Sequence, residues 1–473
     1  MSAARPFPRS MKLVGVLLLT LSAVTPASSV FVIIPGVIQQ AGSGALISLA
    51  AAAVVSLAMA FVYAELASAW PLAGGEYAMV GRALGPFAAF MLMGANTVAY
   101  TLVPPVLALG AAAYLGAIWP GAPPIPIAAG LIALSTLFGI LNIRLNAWVT
   151  GAFLAVEAIA LLVVAVLGFT HLARPISEVM LHPIVVTAAA GLGPTPLTAI
   201  ALAITVAIFA YNGFGAAVYF SEEMHEAPRR IARTILWALA FTLALEFLPT
   251  AATVLGAPNL AALVRSQSPF GDFVEAVGGH ALGVAVSLGV ALAIVNAVIA
   301  SLLINARILY ASARDKAWHE AVNGAFTRLH GRYDSPWIAT LCTGAAGIAC
   351  CFIPFHLLLV LNGMNVVAIY ISLCAAVIVG RVTGASAHAP YKSPLFPLAP
   401  AVGLVALVGV VAANWGDPDI GRPSLIATVA VMVLFGAYYV VRRRTGGLAW
   451  ALSGPEPSPL LTPDARNLEA MDG

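Results

Sequence analysis

The sequence predicts an all-α polytopic membrane protein with about twelve transmembrane helices. Three observations carry that expectation. Of 473 residues, 61% are hydrophobic and 9% are charged, with a mean hydropathy of +0.98; a soluble domain carries roughly a quarter charged residues. The apolar residues fall into separate runs, most of them near the roughly 20 residues that cross a bilayer. The basic residues then divide by side. With twelve spans, nineteen of the 22 Lys and Arg lie on the side of the termini, and only Arg174, Arg265 and Arg422 lie on the other. The positive-inside rule puts both termini in the cytoplasm, with the chain crossing the cell membrane many times.

The elements follow in order. Residues 1–12 form a short basic cytoplasmic segment. Residues 13–40, LVGVLLLTLSAVTPASSVFVIIPGVIQQ, form a long apolar run. A signal peptide is the rival reading, because Lys12 precedes an apolar core and small residues follow. The run resumes past Ala27-Ser28-Ser29, however, which favours a first helix interrupted at Thr25-Pro26-Ala27-Ser28-Ser29. The second span covers about 45–69. The third to fifth cover about 86–116, 124–142 and 147–170, and 171–197 reads as an irregular loop. The sixth covers about 198–220 and the seventh 231–256. After a loop at 257–279, the eighth covers 280–310, and 311–335 is polar and basic. The ninth to twelfth cover about 336–353, 356–380, 395–414 and 424–441. The polar, proline-containing tail at 442–473 is expected to be disordered. Cys342, Cys350, Cys351 and Cys374 lie in apolar runs without metal spacing and read as packing residues.

The sixth span organises the rest. Its apolar run meets Tyr211-Asn212-Gly213-Phe214-Gly215 at mid-depth, resumes, and ends in a charged cluster. Broken backbone at that depth is tolerated where it lines a cavity or is buried in protein. A packing glycine pair is the plainer reading. That reading does not account for the first span, which is interrupted at the same depth five spans earlier. Five spans is an odd number, so a second unit of five is inverted relative to the first. Paired broken helices in corresponding halves point to a transporter site. The permease domain is therefore expected over 13–441, with repeats at about 13–170 and 198–380 and two extra helices at about 395–441.

Four stretches carry a resemblance. Residues 63–86, YAELASAWPLAGGEYAMVGRALGP, resemble the segment after the second helix of amino acid–polyamine–organocation permeases. Phe209-Ala210-Tyr211-Asn212-Gly213-Phe214, with Ser221-Glu222-Glu223 and Ala227-Pro228-Arg229-Arg230-Ile231, resembles that family's sixth helix and cytoplasmic exit. Leu141-Asn142-Ile143-Arg144 resembles its link between helices four and five. Residues 306–315 resemble the end of its eighth helix. The resemblance covers about residues 10–440. It implies a LeuT-type fold of five plus five inverted spans with two extra helices. It also implies secondary transport of an amino acid or related amine, with an aromatic at Phe209 covering the substrate. Two features depart from the family pattern. The first-helix break lacks glycine, although Pro26 frees backbone groups there. Glu157 stands where many members carry a lysine on the fifth helix, which reverses the sign of the charge.

The residues expected to meet substrate are Thr25, Pro26, Ala27, Ser28 and Ser29 at the first break, and Phe209, Ala210, Tyr211, Asn212, Gly213 and Phe214 at the second. Asn96 and Tyr100, one turn apart in the third span, and Asn296 in the eighth join them. Taken alone, each of Asn96, Tyr100 and Asn296, like Ser301, Asn362 and Asn365, reads more simply as an interhelical hydrogen bonder. Intramembrane acids tend to mark proton or ion paths, so Glu157 is the expected coupling residue; Glu246 is a second such acid with no assigned partner. Glu65 and Glu76 read as capping or pairing residues. Glu222, Glu223 and Glu226, beside Arg229, Arg230 and Arg233, read either as a solvated charge cluster or as an inner gate. No hydrolase elbow, phosphate loop or zinc motif stands out, so no cofactor and no enzymatic activity are expected. The expected partners are a small amino acid or amine, protons and membrane lipid, and not nucleic acid. A polyamine or amino-alcohol carrier, and a transport-inactive amino acid sensor, stand as alternatives.

Overall fold

The computed structural model describes residues 11–118, 121, 123–141, 143–187, 191–333, 335–394, 396–446 and 450–452. Arg5, Arg9, Arg466, Asn142 and the side chain of Arg144 lie outside the described residues, as do the terminal segments 1–10 and 453–473. Among the described residues, nine segments are long and apolar enough to cross a membrane. The first of these, Leu13–Ala69, holds two of the expected spans, and two further expected spans are the shorter apolar helices Pro124–Gly139 and Trp337–Cys350. The protein is an all-α polytopic membrane protein. The second span, Ala45–Ala69, has the ends that its apolar run dictates. The eighth, His280–Arg314, runs one turn further than expected, and Arg314 in that added turn pairs with Glu222 inside the protein.

Both expected interruptions are present, and each has a local cause. The helix Leu13–Val24 stops where Thr25 takes a left-handed conformation, φ 51°. That conformation is costly for a β-branched residue and persists where its surroundings hold it in place. Pro26 follows and has no N–H to continue the ladder. The chain re-forms through a wide turn, Ser29–Ile33, and the helix Ile34–Ala41. The sixth span begins as the helix Leu197–Ala210. Gly213 turns the chain at φ 115°, and Phe214–Glu223 continues as a 3-10 helix. Ten residues is long for that tighter coil, whose hydrogen bonds are poorer; such stretches mark strain or hinges.

The third span packs most extensively on the eighth, and the seventh packs on both the second and the fifth. At the end of the bundle that carries most of the basic residues, a short helix, Glu76–Leu84, joins the second and third spans. Gly75 (φ 62°) starts it and Gly85 (φ 91°) stops it. Glu76 in its first turn and Arg82 in its last suit the helix dipole. The segment expected to be an irregular loop at 171–197 is partly ordered. It holds the helix Ile176–Leu181 and an antiparallel pair, Ile184–Val186 with Leu192–Pro194, in which Val185 faces Gly193. The pair is anchored on the first span's outer end, where the Ile184 amide donates to Ser43 Oγ at 2.8 Å.

Candidate functional site

The two breaks meet. Ser29 Oγ donates to the carbonyl of Ala210 at 3.0 Å, tying one interruption to the other. Gly213 faces Val24 so closely that a β-carbon there would lie 3.0 Å from Val24 Cα. Between them is a cavity of about 30 Å³. Its polar lining is Thr25, Ser29, Tyr100, Asn212 and Ser301. Its apolar lining includes Val24, Val103, Leu107, Phe209 and Ile304, with Ala210 and Gly213. Among the described residues, no acidic or basic side chain lines it. Asn212 is held from outside the cavity by the Tyr370 hydroxyl, which donates to its Oδ1 at 3.2 Å.

The other expected site residues lie around this space rather than in its wall. Pro26, Ala27 and Ser28 are buried on the turn behind Thr25. Tyr211 is buried beside Glu246 of the seventh span. Phe214 packs edge-on against Tyr63 and tilted against Tyr370. Asn96 donates to Glu76 Oε2 at 3.1 Å, one turn below Tyr100. Asn296 donates to Glu157 Oε1 at 3.4 Å, and Glu157 also lies against the Ala27 backbone. Ser301, rather than Asn296, reaches the cavity from the eighth span. Five residues at 100° each put the two on different faces of one helix, so the choice between them is a matter of phase. Glu246 is buried next to Ser29. The single Ser29 hydroxyl proton is taken by Ala210, which leaves Glu246 without a close donor among the described residues.

The basic end is closed by buried polar contacts. Glu65 takes a forked pair of bonds from Arg381 at 2.7 and 2.6 Å and a third from the Ser393 amide at 3.0 Å. Glu222 is forked to Arg314 at 2.8 and 3.0 Å and also accepts from the Ala73 amide at 2.9 Å. Glu223 pairs with Arg307 at 3.0 Å, with both side chains about 5% exposed or less. Tyr77 donates to Asp315 at 2.7 Å. The sequence left Glu222, Glu223 and Glu226 either in a solvated cluster with Arg229, Arg230 and Arg233 or in an inner gate, and Glu222 and Glu223 are not part of such a cluster. Of the arginines nearest in sequence, Arg230 pairs with Glu226 at the surface, while Glu222 and Glu223 turn inward to the eighth span. Fixed forked pairs are the geometry in which Arg and carboxylate bind best.

The opposite end is roomier. A cavity of about 410 Å³ is lined by Phe31, Val32, Gln39, Gly110, Gln267 and Phe355, among others. It is separated from the small cavity by little more than one layer of residues. Val32 lines the large space and Ile33 the small one, and Gly110 sits against Val32, where a β-carbon would fall 2.1 Å from Cγ1.

A bundle with two facing broken helices and a shared cavity between them is the arrangement of a membrane transporter. The chain belongs to the amino acid permease family, whose profile matches residues 11–436. It is 30% identical to an uncharacterized transporter of Mycobacterium tuberculosis over 327 residues, 67% of this chain and 68% of that one. It is 25% identical to the methylthioribose transporter of Bacillus subtilis over 399 residues (78% and 81% of the two chains) and 23% identical to a branched-chain amino acid permease of the same organism over 383 (77% and 79%). Membrane transport of amino acids or related compounds follows from this membership.

Phe209 lines the cavity one turn before the sixth-span break and is 5% exposed. An aromatic there can bury apolar substrate surface. Phe209→Ala is expected to reach the membrane folded, with uptake reduced on the order of tenfold, the weight of one good aromatic contact. Initial uptake rates set against the amount of protein in the membrane check this. Unchanged kinetics would remove Phe209 from the site.

Proposed function

We propose that this protein is a secondary active transporter that moves a small amino acid with an apolar side chain across the cytoplasmic membrane by alternating access, driven by protons or by exchange. The observation that carries the substrate class is the cavity between the two breaks. The helices Leu13–Val24 and Leu197–Ala210 both end at this cavity, so two negative dipole ends converge where an ammonium would sit. The positive start of the re-formed first helix lies at 26–28 and suits a carboxylate. Val24, Val103, Leu107, Phe209 and Ile304 supply the apolar remainder. That lining suits the side chains for which the branched-chain relative is named. A polyamine would need an acid for its second charge, and Glu157 and Glu246 stand behind the first helix instead of in the wall.

A cavity of about 30 Å³ has room for a water or so, not for an amino acid. Substrate therefore enters a wider form of it. The basic end faces the cytoplasm by the positive-inside rule, so the large cavity opens outward and the buried ion pairs seal the inner side. The pairing of the second span with the seventh, and of the third with the eighth, is an offset of five in each case. That offset supports two inverted units at 13–170 and 198–380, with 395–441 added.

The test compares an amino acid with its decarboxylated amine as ligands of the purified protein, read by thermal stabilisation, since a ligand of the folded state alone raises its stability. The amino acid is expected to stabilise strongly and the amine weakly. Equal stabilisation by the two would reject carboxylate recognition and favour the polyamine or amino-alcohol carrier. Binding without uptake into vesicles would favour a sensor.

A further inference from the structure

Glu76 has no role in the function proposed so far, yet it is among the most enclosed charged groups in the protein. It is 3% exposed and sits at the start of the Glu76–Leu84 helix. Its carboxylate accepts from Tyr63 at 2.8 Å, from Asn96 at 3.1 Å and from Tyr219. No Lys, Arg or His lies within ion-pair distance of it among the described residues. The groups facing it are Tyr63 from the second span, Asn96 and Tyr100 from the third, Tyr219 from the sixth and Tyr370 from the tenth. All are neutral. A buried carboxylate held only by neutral donors is rare, because burying a charge is costly unless it is paired.

The position of these donors gives the carboxylate its leverage. Tyr219 lies in the 3-10 stretch Phe214–Glu223, the half of the sixth span that leads from the cavity to the basic end. Gly75 permits the approach: a β-carbon on it would fall 2.3 Å from the Tyr219 ring. Tyr100 lines the cavity and packs edge-on against Tyr219 at 5.5 Å. Tyr370 holds Asn212 at the break and packs edge-on against Tyr63 at 6.0 Å. The carboxylate is thus joined to the cavity along two tyrosine paths and to the inner half of the sixth span by one hydrogen bond.

We propose that Glu76 is a proton-binding gate residue: as a carboxylate it clasps the inner half of the sixth span through Tyr219, and on taking a proton it releases that half-helix. The proton comes from water that reaches the cavity and forms an O–H on the carboxyl group. The carboxyl then has a proton of its own to place where Tyr219 now donates, and the charge-assisted bond is lost. Opening exposes Glu76 to solvent at the basic end, where the proton leaves. Burial raises the titration of Glu76 above the ordinary carboxylate range, against the opposing pull of the hydrogen bonds from Tyr219, Tyr63 and Asn96. The clasp is therefore complete when Glu76 is ionised and weakens as pH falls through its titration, which burial moves toward neutrality. Glu76 acts through Tyr219 and is a positioning residue for transport, so this inference rests on the transporter reading.

Amide hydrogen exchange over 214–223 in the purified full chain, corrected for the intrinsic effect of pH, tests it without any substrate. The wild type is expected to lose protection there as pH falls. Glu76→Gln, which keeps shape and removes the charge, is expected to show roughly tenfold less protection at high pH and no further loss on acidification. Tyr219→Phe is expected to lose about as much, and the double variant no more than either, because one bond is lost once. Wild-type pH dependence in Glu76→Gln would overturn the proposal, as would full protection in Tyr219→Phe. Failure of every amino acid to bind would instead sink the substrate reading, and the exchange result would still stand by itself.

Discussion

Gly213→Leu abolishes substrate binding while the protein still reaches the membrane: that is the expected result, and two features of the site require it. The first is conformation. Gly213 has φ 115°, a region that side chains rarely adopt and glycine occupies freely. The second is space. A β-carbon would lie 3.0 Å from Val24 Cα and 3.1 Å from its Cγ2, so the two half-helices would have to part. The rest of a leucine side chain would then enter a cavity of about 30 Å³ that it more than fills. The strain costs on the order of 1–3 kcal/mol. That is a local cost in a bundle whose spans fold on their own apolar faces, so insertion is expected to survive. Gly213→Ala separates the two effects, since it carries the strain without filling the cavity, and is expected to weaken binding less than Gly213→Leu. Ligand-induced thermal stabilisation, set beside the amount of protein in the membrane fraction, distinguishes these outcomes. Normal binding by Gly213→Leu would mean that the substrate lies elsewhere.

The spans were legible because each is an apolar run bounded by charge, proline or glycine, and lipid tolerates little else. The breaks were legible because Pro26 and Gly213 each stand in the middle of such a run. Which side chains face the cavity was less legible, since that depends on helical phase in elements that are apolar on every side. Asn96 and Tyr100 share a face, but one turn of helix sends Asn96 to Glu76 and Tyr100 to the cavity. The partners of Glu222 and Glu223 come from about 80 to 90 residues further along the chain. Proximity in sequence points to Arg229, Arg230 and Arg233, which holds for Glu226 alone, and a 3-10 coil carries Glu222 and Glu223 elsewhere. The Gly74-Gly75-Glu76-Tyr77 motif marked a junction without saying what it joins. The fold shows that Gly75 admits Tyr219, Glu76 binds it, and Tyr77 fastens to Asp315 just past the end of the eighth span.

Glu157→Gln is expected to abolish accumulation driven by a proton gradient while leaving substrate binding and exchange largely intact. Glu157 lies at the centre of the 28-residue helix Ile143–Thr170, about 20 Å from either end at 1.5 Å per residue, and so near the middle of a hydrocarbon core about 30 Å thick. It is 1% exposed. A charge held there is costly, and acids at such depth face the interior of the bundle and mark proton or ion paths. The neighbours of Glu157 fit that role. It touches the Ala27 backbone on the turn that re-forms the first helix, and it takes a hydrogen bond from Asn296 on the eighth span. Its second oxygen has no partner among the described residues. A carboxyl in that position feels any movement of the first-helix break, which is how gaining or losing a proton could follow substrate. The competing view is that Glu157 only ties the first, fifth and eighth helices together. Glutamine has nearly the same shape and keeps an oxygen for Asn296, so under that view the variant transports like the wild type. Under the coupling view it behaves as though permanently neutral: the inside-to-outside ratio of substrate falls to unity under an imposed proton gradient, and exchange keeps only the pH dependence that Glu76 gives the inner gate. Proteoliposomes loaded at one pH and diluted into another give both readouts. If the variant still concentrates substrate under that gradient, Glu157 does not carry the coupling, and exchange that keeps the wild-type pH profile would place the titrating group elsewhere, with Glu76 the next residue to examine.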